Sequence, residues 1–525
     1  MLQHVLVWFR VRGGVMAAMA MHFALGGAYG LGFAPVSWWP LALIALTCHL
    51  AALERLQSWR VSGLCGWMFG FGFFAVSLHW VAESFAFGPA GLRELGWIAV
   101  LGLSLGLGLF NALFSALTHC RWCKGVSRSV EQAILWTVVE WLRTSLFTGF
   151  PWNLTAYVWS DTLPMLQSTA FTGVYGLGFL TVLTSASLSG LLVEKKTWSR
   201  AAICASMVVV LLGTYIGGTF RLQPRVPDAS QFRVRIVQAN IRQDRKWNIT
   251  ERERILAEYL EETVNAGDVP SVVVWPETAV PFLLDEDAAR RVLIARALPP
   301  QGVLITGAHR REVAGPDQRF FNSVLTVASN GTVIGRYDKV HLVPFGEFVP
   351  LAALNPFPRL TASLADFTPG MTHNVADLGN GIVVAPLICY EAIFPGDLRA
   401  HGAKATVLVN VTNDAWFGTS WGPYQHLAIA RVRAIELGVP LIRAANTGIS
   451  GVFDSFGRPV ATIPLGVRSS VDVDVPSPLP ARTVYARIGD LPLFSLIAII
   501  MAFSAVKRAR RHSLAPPRTA QTSNG

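Results

Sequence analysis

Apolar residues are unevenly spread along this chain, and that distribution constrains the fold more than any other feature. They are concentrated in residues 14–218 and again in 488–506, with a polar, ordinary-looking stretch between. A helix crossing a bilayer needs about 20 largely apolar residues. Runs of that kind lie near 14–33, 36–53, 62–82, 96–119, 130–148, 165–193, 199–218 and 488–506. They predict a polytopic α-helical membrane bundle of about eight spans. The fifth run is the most polar and carries Glu131, Glu140 and Arg143. Composition agrees, since only 15% of the residues are charged, against about 25% in soluble domains. Ala18-Met19-Ala20 resembles a signal-peptide cleavage site, but further apolar runs follow closely, so an uncleaved first span is expected.

Basic residues in short loops set the orientation of such a bundle. One set of helix ends holds Arg10 and Arg12, Arg55 and Arg60, then Arg121, Lys124 and Arg128. The same side takes Lys195, Lys196 and Arg200, and finally Lys507, Arg508, Arg510 and Arg511. The opposite loops offer almost only Arg93. Both termini are therefore expected in the cytoplasm, and the polar segment before the last span on the outer face. Much of the net charge of +11 lies in those loops, where it sets topology and meets anionic lipid head groups. No nucleic-acid partner is expected. The domains read as 1–220, a membrane domain with seven spans; 231–480, an outer globular domain; and 488–506, the eighth transmembrane span. Residues 512–525, rich in Ser, Thr, Pro and Ala, read as a disordered cytoplasmic tail.

Cys48, Cys65, Cys120, Cys123 and Cys204 lie in spans or at cytoplasmic ends. Cys120 and Cys123 form a Cys-x-x-Cys, but no second pair completes a zinc site. Neither a metal nor a cofactor is expected. Cys389 stands alone in the outer domain and so has no intradomain disulfide partner. A free thiol in an oxidising space is a liability unless it has a use.

The outer segment of about 250 residues is long enough for one domain with a full core. Strands are predicted at 233–238, 271–275, 303–307, 323–328, 382–388, 405–411, 440–444 and 450–453, and helices at 249–265, 286–297 and 423–437. Buried strands separated by helices predict an α/β sandwich. Glu277 and Cys389 each follow a predicted strand, where α/β folds place their chemistry.

Three short runs carry that chemistry: Trp275-Pro276-Glu277-Thr278, Tyr337-Asp338-Lys339-Val340-His341 and Leu387-Ile388-Cys389-Tyr390-Glu391. They supply a carboxylate, an amine and a thiol. A thiol attacks a carbonyl as the thiolate and needs a base to take its proton. The oxyanion that forms needs a fixed positive charge or donor. Each residue has a plainer reading. Glu277 alone is a surface carboxylate, Lys339 one of many lysines, and Cys389 a small buried core residue. What changes the weighing is the set of local words, with Lys-x-His-Leu-Val-Pro-Phe-Gly-Glu beside Trp-Pro-Glu and Cys-Tyr-Glu.

On these words the outer domain resembles the nitrilase superfamily, whose Glu-Lys-Cys triad sits on an αββα sandwich. The whole chain resembles the bacterial apolipoprotein N-acyltransferases. Thr148-Gly149-Phe150-Pro151-Trp152, Asn413-Asp414-Ala415-Trp416-Phe417-Gly418 and Tyr485-Ala486-Arg487 carry that likeness. The resemblance implies Cys389 as nucleophile, Glu277 as general base and Lys339 as oxyanion stabiliser. It implies supporting or substrate-binding roles for Glu347, Tyr390, Glu391 and Trp247, the last in a mobile arm over the site. The implied reaction takes an acyl chain from a phospholipid, through a thioester, to the α-amino group of diacylglyceryl-cysteine in a lipoprotein. The implied place is the bacterial inner membrane, with the catalytic domain in the periplasm.

Both substrates are lipid-anchored, so the site must open at the membrane surface. Phe345, Phe348, Trp416, Phe417 and Trp421 are candidates for an interfacial entrance. A membrane-tethered amidase is the second reading, and eight spans argue against it because one anchor would suffice. A non-catalytic lipid-binding scaffold is the third, and the intact triad argues against that. Glu140 and Arg143, three apart on one helical face, suit either a packing pair or a wet approach to the outer domain.

Overall fold

The computed structural model describes residues 2–87, 94–119, 128–193, 198–223, 230–264, 271–314, 317–350, 366–396, 398–399 and 404–513. Arg93, Cys120, Arg121, Cys123, Lys124, Lys195, Lys196 and the tail from residue 514 lie outside the described residues.

The N-terminal region is helical: α1 (Leu2–Gly30), α2 (Trp39–Leu53), α3 (Trp59–Ser77), α4 (Val81–Ser84), α5 (Leu95–His119), α6 (Arg128–Ser145), α7 (Leu163–Leu166), α8 (Thr169–Val193) and α9 (Trp198–Leu222). Helices thus coincide with the expected spans, but not all have a span's length. Among the described residues, Leu95–His119, Thr169–Val193 and Ala201–Leu222 are long and apolar enough to cross a membrane. Trp59–Ser77 with Val81–Phe87, bent by 56°, makes a fourth, while Trp39–Leu53 and Leu491–Val506 are apolar but shorter. Several apolar helices are therefore present, and length and composition alone do not reach eight spans. The sequence windows ran through turns that break the helices, as at residues 78–80.

Two arginines bring one set of helix ends together. Arg128 pairs with Glu54 at 2.5 Å, and Arg55 donates to the Leu192 carbonyl at 2.9 Å. These contacts gather the ends of α2 and α8 and the start of α6. At the opposite ends, Trp80 and Trp152 donate to Gln425 of the outer domain.

The outer domain has two six-stranded sheets. The first runs in the order β12-β1-β2-β3-β4-β5, with β1 (Ser230–Gln238), β2 (Val272–Trp275), β3 (Val303–Ala314), β4 (Asp317–Ala328), β5 (Val333–Asp338) and β12 (Ser469–Pro476). The second runs in the order β11-β10-β9-β8-β7-β6, with β6 (Ala376–Asp377), β7 (Val383–Ile388), β8 (Val407–Thr412), β9 (Leu441–Ala445), β10 (Ser450–Phe453) and β11 (Pro459–Ile463). The neighbours β1-β2-β3 and β7-β8-β9 are parallel. Side chains alternate across a strand, and the packing follows that period. Val272 and Val274 face the second sheet in a core shared with Val407, Val409 and Val411. Val273 and Trp275 face outward, onto Ile255 and Tyr259 of α11 (Arg252–Val264) and Ile294 of α12 (Ala288–Ala295). α10 (Gln243–Lys246) precedes them.

On the far side, Ala385, Leu387 and Leu408 pack on Ala430 and Ala434 of α13 (Gly422–Leu437). The layers are therefore helix, sheet, sheet, helix, the expected αββα sandwich. α13 is buried on both faces, since Ile429, Val432 and Ile435 join the core of the helical region. This helix seats the sandwich on the bundle. α14 (Val484–Ile488) and the apolar α15 (Leu491–Ser513) end the described chain. The strands the sequence did not predict are β5, β6, β11 and β12, the four sheet edges.

Candidate active site

Three strand ends deliver the reactive groups to one place. Glu277 lies two residues past β2, Lys339 directly follows β5, and Cys389 follows β7 as the first residue of the 3-10 turn Cys389–Ile393. The turn at Glu277 is set by close backbone contact. A Cβ on Gly307 would stand 2.4 Å from the Glu277 Cα and 2.6 Å from the Thr278 nitrogen, so only glycine fits there.

Lys339 is the hub of a buried cluster. Its Nζ is 2.9 Å from Glu347 and 3.6 Å from Glu277 Oε1. The Asn322 Nδ2 group donates to Glu277 Oε1 and Glu347 Oε1, both at 2.7 Å. Glu277 Oε2 accepts from the Asn413 backbone N–H at 2.9 Å, and Glu347 Oε2 from Val343 N–H at 2.7 Å. Burial alone would favour a neutral Lys339, but the carboxylates of Glu347 and Glu277 outweigh it and hold the ammonium above the usual lysine range. Its charge is thus fixed, as an oxyanion partner requires.

Cys389 is buried and carries a left-handed backbone, φ 48°. Burial pushes its thiol up, the Glu277 carboxylate adds to the rise, and Lys339 opposes it. Burial thus favours the thiol over the thiolate at Cys389, and nucleophilic use of this residue would need a base to take its proton. Of the carboxylates that raise this thiol, Glu277 weighs more than Asp414.

Glu391 acts as a pin. Its Oε1 accepts from Tyr337 OH at 2.8 Å, Val340 N–H at 2.7 Å and His341 N–H at 3.3 Å, and its Oε2 from Ile388 N–H at 2.7 Å. One carboxylate thus ties the lysine segment to the residue before the cysteine. Tyr390 donates to the Gly149 carbonyl of the helical region at 2.9 Å. Trp247 is partly exposed and stacks on His309 with ring centroids 5.3 Å apart. Of the candidate entrance aromatics, Phe345 is exposed. Phe417 packs on Trp80 and Trp421 on His79, where the sandwich meets the helices.

Comparison with known proteins decides the family. Residues 25–187 match the apolipoprotein N-acyltransferase N-terminal domain, and residues 233–477 match the carbon-nitrogen hydrolase family. The apolipoprotein N-acyltransferase of Rhodopseudomonas palustris is 36% identical over 95% of this chain and 98% of its own. That of Bradyrhizobium diazoefficiens is 37% identical over 92% of this chain and 94% of its own. This chain belongs to the apolipoprotein N-acyltransferase family. Among solved structures, an amidase from Nesterenkonia sp. is 19% identical over 52% of this chain and 98% of its own, with a TM-score of 0.36.

Some contacts at the site come from residues that sequence reasoning passed over. Asn322 stands mid-strand in β4 with no motif around it. Lys246 adjoins Trp247 but reads as one more lysine. It is fully buried, and its Nζ donates to the Glu277 carbonyl at 3.1 Å. Burial lowers its pKa to about 8, against the pull of Glu277 and Cys389. His426 Nε2 lies 3.1 Å from the Cys389 carbonyl, so that nitrogen carries the hydrogen, and Nδ1 lies 2.9 Å from Asp414. Only Asn413 and Asp414 sat in a motif that drew notice.

Proposed function

We propose that this chain transfers an acyl chain from a membrane phospholipid to the α-amino group of diacylglyceryl-cysteine at a lipoprotein N-terminus, through a thioester on Cys389. The observation that carries this reading is one buried cluster of carboxylate, ammonium and thiol on a domain seated, by both faces of α13, against an apolar helical bundle. Family membership supports the same chemistry.

The reaction runs in two halves, ping-pong. Glu277 takes the Sγ proton as sulfur attacks the ester carbonyl carbon. The oxyanion forms against the Lys339 ammonium. As it collapses the ester C–O bond breaks, and lysophospholipid leaves with the proton from Glu277. The acceptor amine then attacks the thioester carbonyl and loses a proton to Glu277. The C–S bond breaks, the amide is released and the thiol is restored. Glu347 holds Lys339, Glu391 holds the two reactive segments together, Tyr390 anchors the turn to the bundle, and Trp247 covers the Glu277 side. No cofactor or metal enters these steps.

The reading extends to topology. The membrane domain is residues 1–220 with seven spans, the catalytic domain is 231–480, the eighth span is 488–506, and the tail 512–525 is cytoplasmic. The protein is a multi-pass protein of the bacterial inner membrane, with its catalytic domain in the periplasm and both termini in the cytoplasm. The grouping of basic helix ends away from the sandwich supports this orientation.

Mass spectrometry of the purified protein after incubation with phospholipid tests the proposal. The expected product is a fatty acyl adduct on Cys389, discharged by a diacylglyceryl-cysteine peptide and absent in Cys389→Ser. An unmodified cysteine with rapid turnover of small amides to acid would instead establish the amidase reading.

A further inference from the structure

The buried pair in α6 is more closely bonded to the loop that follows than to itself. Glu140 and Arg143 are 4.0 Å apart. Arg143 Nη1 donates to the Phe150 and Trp152 carbonyls, both at 2.7 Å. Glu140 Oε1 accepts from the Thr155 N–H and hydroxyl, both at 2.8 Å. Two groups that are costly to bury in a membrane protein are thus used to fix the backbone of residues 150–155.

That loop grips the nucleophile from both sides. On one side the Gly149 carbonyl accepts from Tyr390, the residue after Cys389. Gly149 has φ 76°, and a Cβ there would stand 2.1 Å from the Thr144 carbonyl oxygen and 3.0 Å from the Phe394 ring. The loop is therefore wedged between α6 and the end of the nucleophile turn. On the other side Trp152 Nε1 donates to Gln425 Oε1 at 2.8 Å, where Trp80 Nε1 also donates at 3.1 Å. The next residue, His426, holds the Cys389 carbonyl. A non-glycine residue at φ 48° persists only where its surroundings over-determine it, and these contacts bracket Cys389.

We propose that the 148–155 loop, clamped by Glu140 and Arg143, is a positioning element of the acyl-transfer site, so that the membrane bundle sets the attack geometry of Cys389. Arg143 and Trp152 are positioning residues, and neither touches substrate. The inference rests on Cys389 being the acyl-transfer nucleophile.

Two variants of the full chain test it. Arg143→Lys keeps the charge and loses the fork onto two carbonyls. Trp152→Phe keeps a ring and loses one N–H. The readouts are kcat and KM for acyl transfer from phospholipid, and the pH profile of Cys389 alkylation by iodoacetamide. Both variants should lower kcat by roughly ten- to a hundredfold, the scale of an ångström's misplacement, with KM unchanged. The alkylation midpoint should move toward the ordinary thiol value as the turn loosens. A raised KM with unchanged kcat would assign the loop to lipid approach and overturn the proposal. A lower melting temperature with parental kcat and alkylation profile would reduce it to packing. If Arg143→Lys does not fold, Trp152→Phe decides alone. Alkylation needs no lipid. A parent chain that alkylates at Cys389 but takes no acyl group therefore refutes the proposed function, while the alkylation profiles still judge the positioning.

Discussion

Glu391→Gln isolates the pin that joins the lysine and cysteine segments. The carboxylate accepts four hydrogen bonds, three at Oε1 and one at Oε2. Glutamine is nearly isosteric but turns one acceptor oxygen into a donor. With the amide nitrogen in the Oε2 place, it faces the Ile388 N–H, and one buried backbone donor is orphaned. In the other orientation three donors lose their partner. The gentler case removes one bond to a charged group, about 2–3 kcal/mol. For a domain of this size that lowers the melting temperature by roughly 4–12 °C. Ile388 immediately precedes the nucleophile and Val340 immediately follows the lysine, so both reactive groups loosen together. Acyl-enzyme formation should slow by a factor on the order of 10². Tyr337→Phe is the graded control, since it removes one donor and leaves the backbone bonds, at about 1 kcal/mol. The assay is thermal melting in detergent beside single-turnover acylation of Cys389. A Glu391→Gln protein with parental melting and parental acylation would refute the argument that this carboxylate organises the site.

The remaining predictions address the reactive groups, the electrostatics and the topology. Glu277→Gln and Lys339→Ala should each lower turnover by a factor of about 10² or more while the protein still inserts, and a double variant no worse than the singles would fit one coupled unit; parental turnover would make them structural. Asn322→Asp should abolish activity without change of shape, because it replaces the N–H donor between Glu277 and Glu347 with a third carboxyl group; unchanged turnover would show that the bridge is dispensable. Burial alone would raise the Asp414 carboxyl, but Arg443 and His426 bring it from 3.8 to about 2. Its stabilising contribution, about 2 kcal/mol, is present above pH 3.8 and lost as pH falls through 2. The melting gap between parent and Asp414→Asn should therefore narrow from pH 5 toward pH 2, and a constant gap would refute it. Cys389 is buried, so a membrane-impermeant thiol reagent on intact spheroplasts should reach it when the site is open and leave Cys120 and Cys123 unlabelled, and the reverse pattern would invert the topology.

The division between what was legible and what was not follows burial. All eight strands predicted from the sequence are interior strands, covered by a partner on each side, and their runs are apolar enough to read alone. β5, β6, β11 and β12 are edges, where one side is unpaired and the sequence tolerates Gly335, Arg336, Pro459 and Asp472. Lys339 was singled out by its local words although it follows one of those edges. The triad candidates lie after strands and in recognisable runs, so their residue types and order announced the chemistry. Asn322 and Lys246 did not, because their value comes from what they face across the fold.

The same holds for the membrane part. Apolar runs gave the helices by themselves, since these follow from transfer free energy along one dimension. They could not give helix breaks, which depend on local turns, as at residues 78–80. Nor could they reveal that α13 is buried on both faces, or that Arg143 holds the Phe150 and Trp152 carbonyls. A sequence records which groups are costly to bury. Which partners offset that cost is decided only when Arg143 reaches the Phe150 and Trp152 carbonyls and Tyr390 the Gly149 carbonyl.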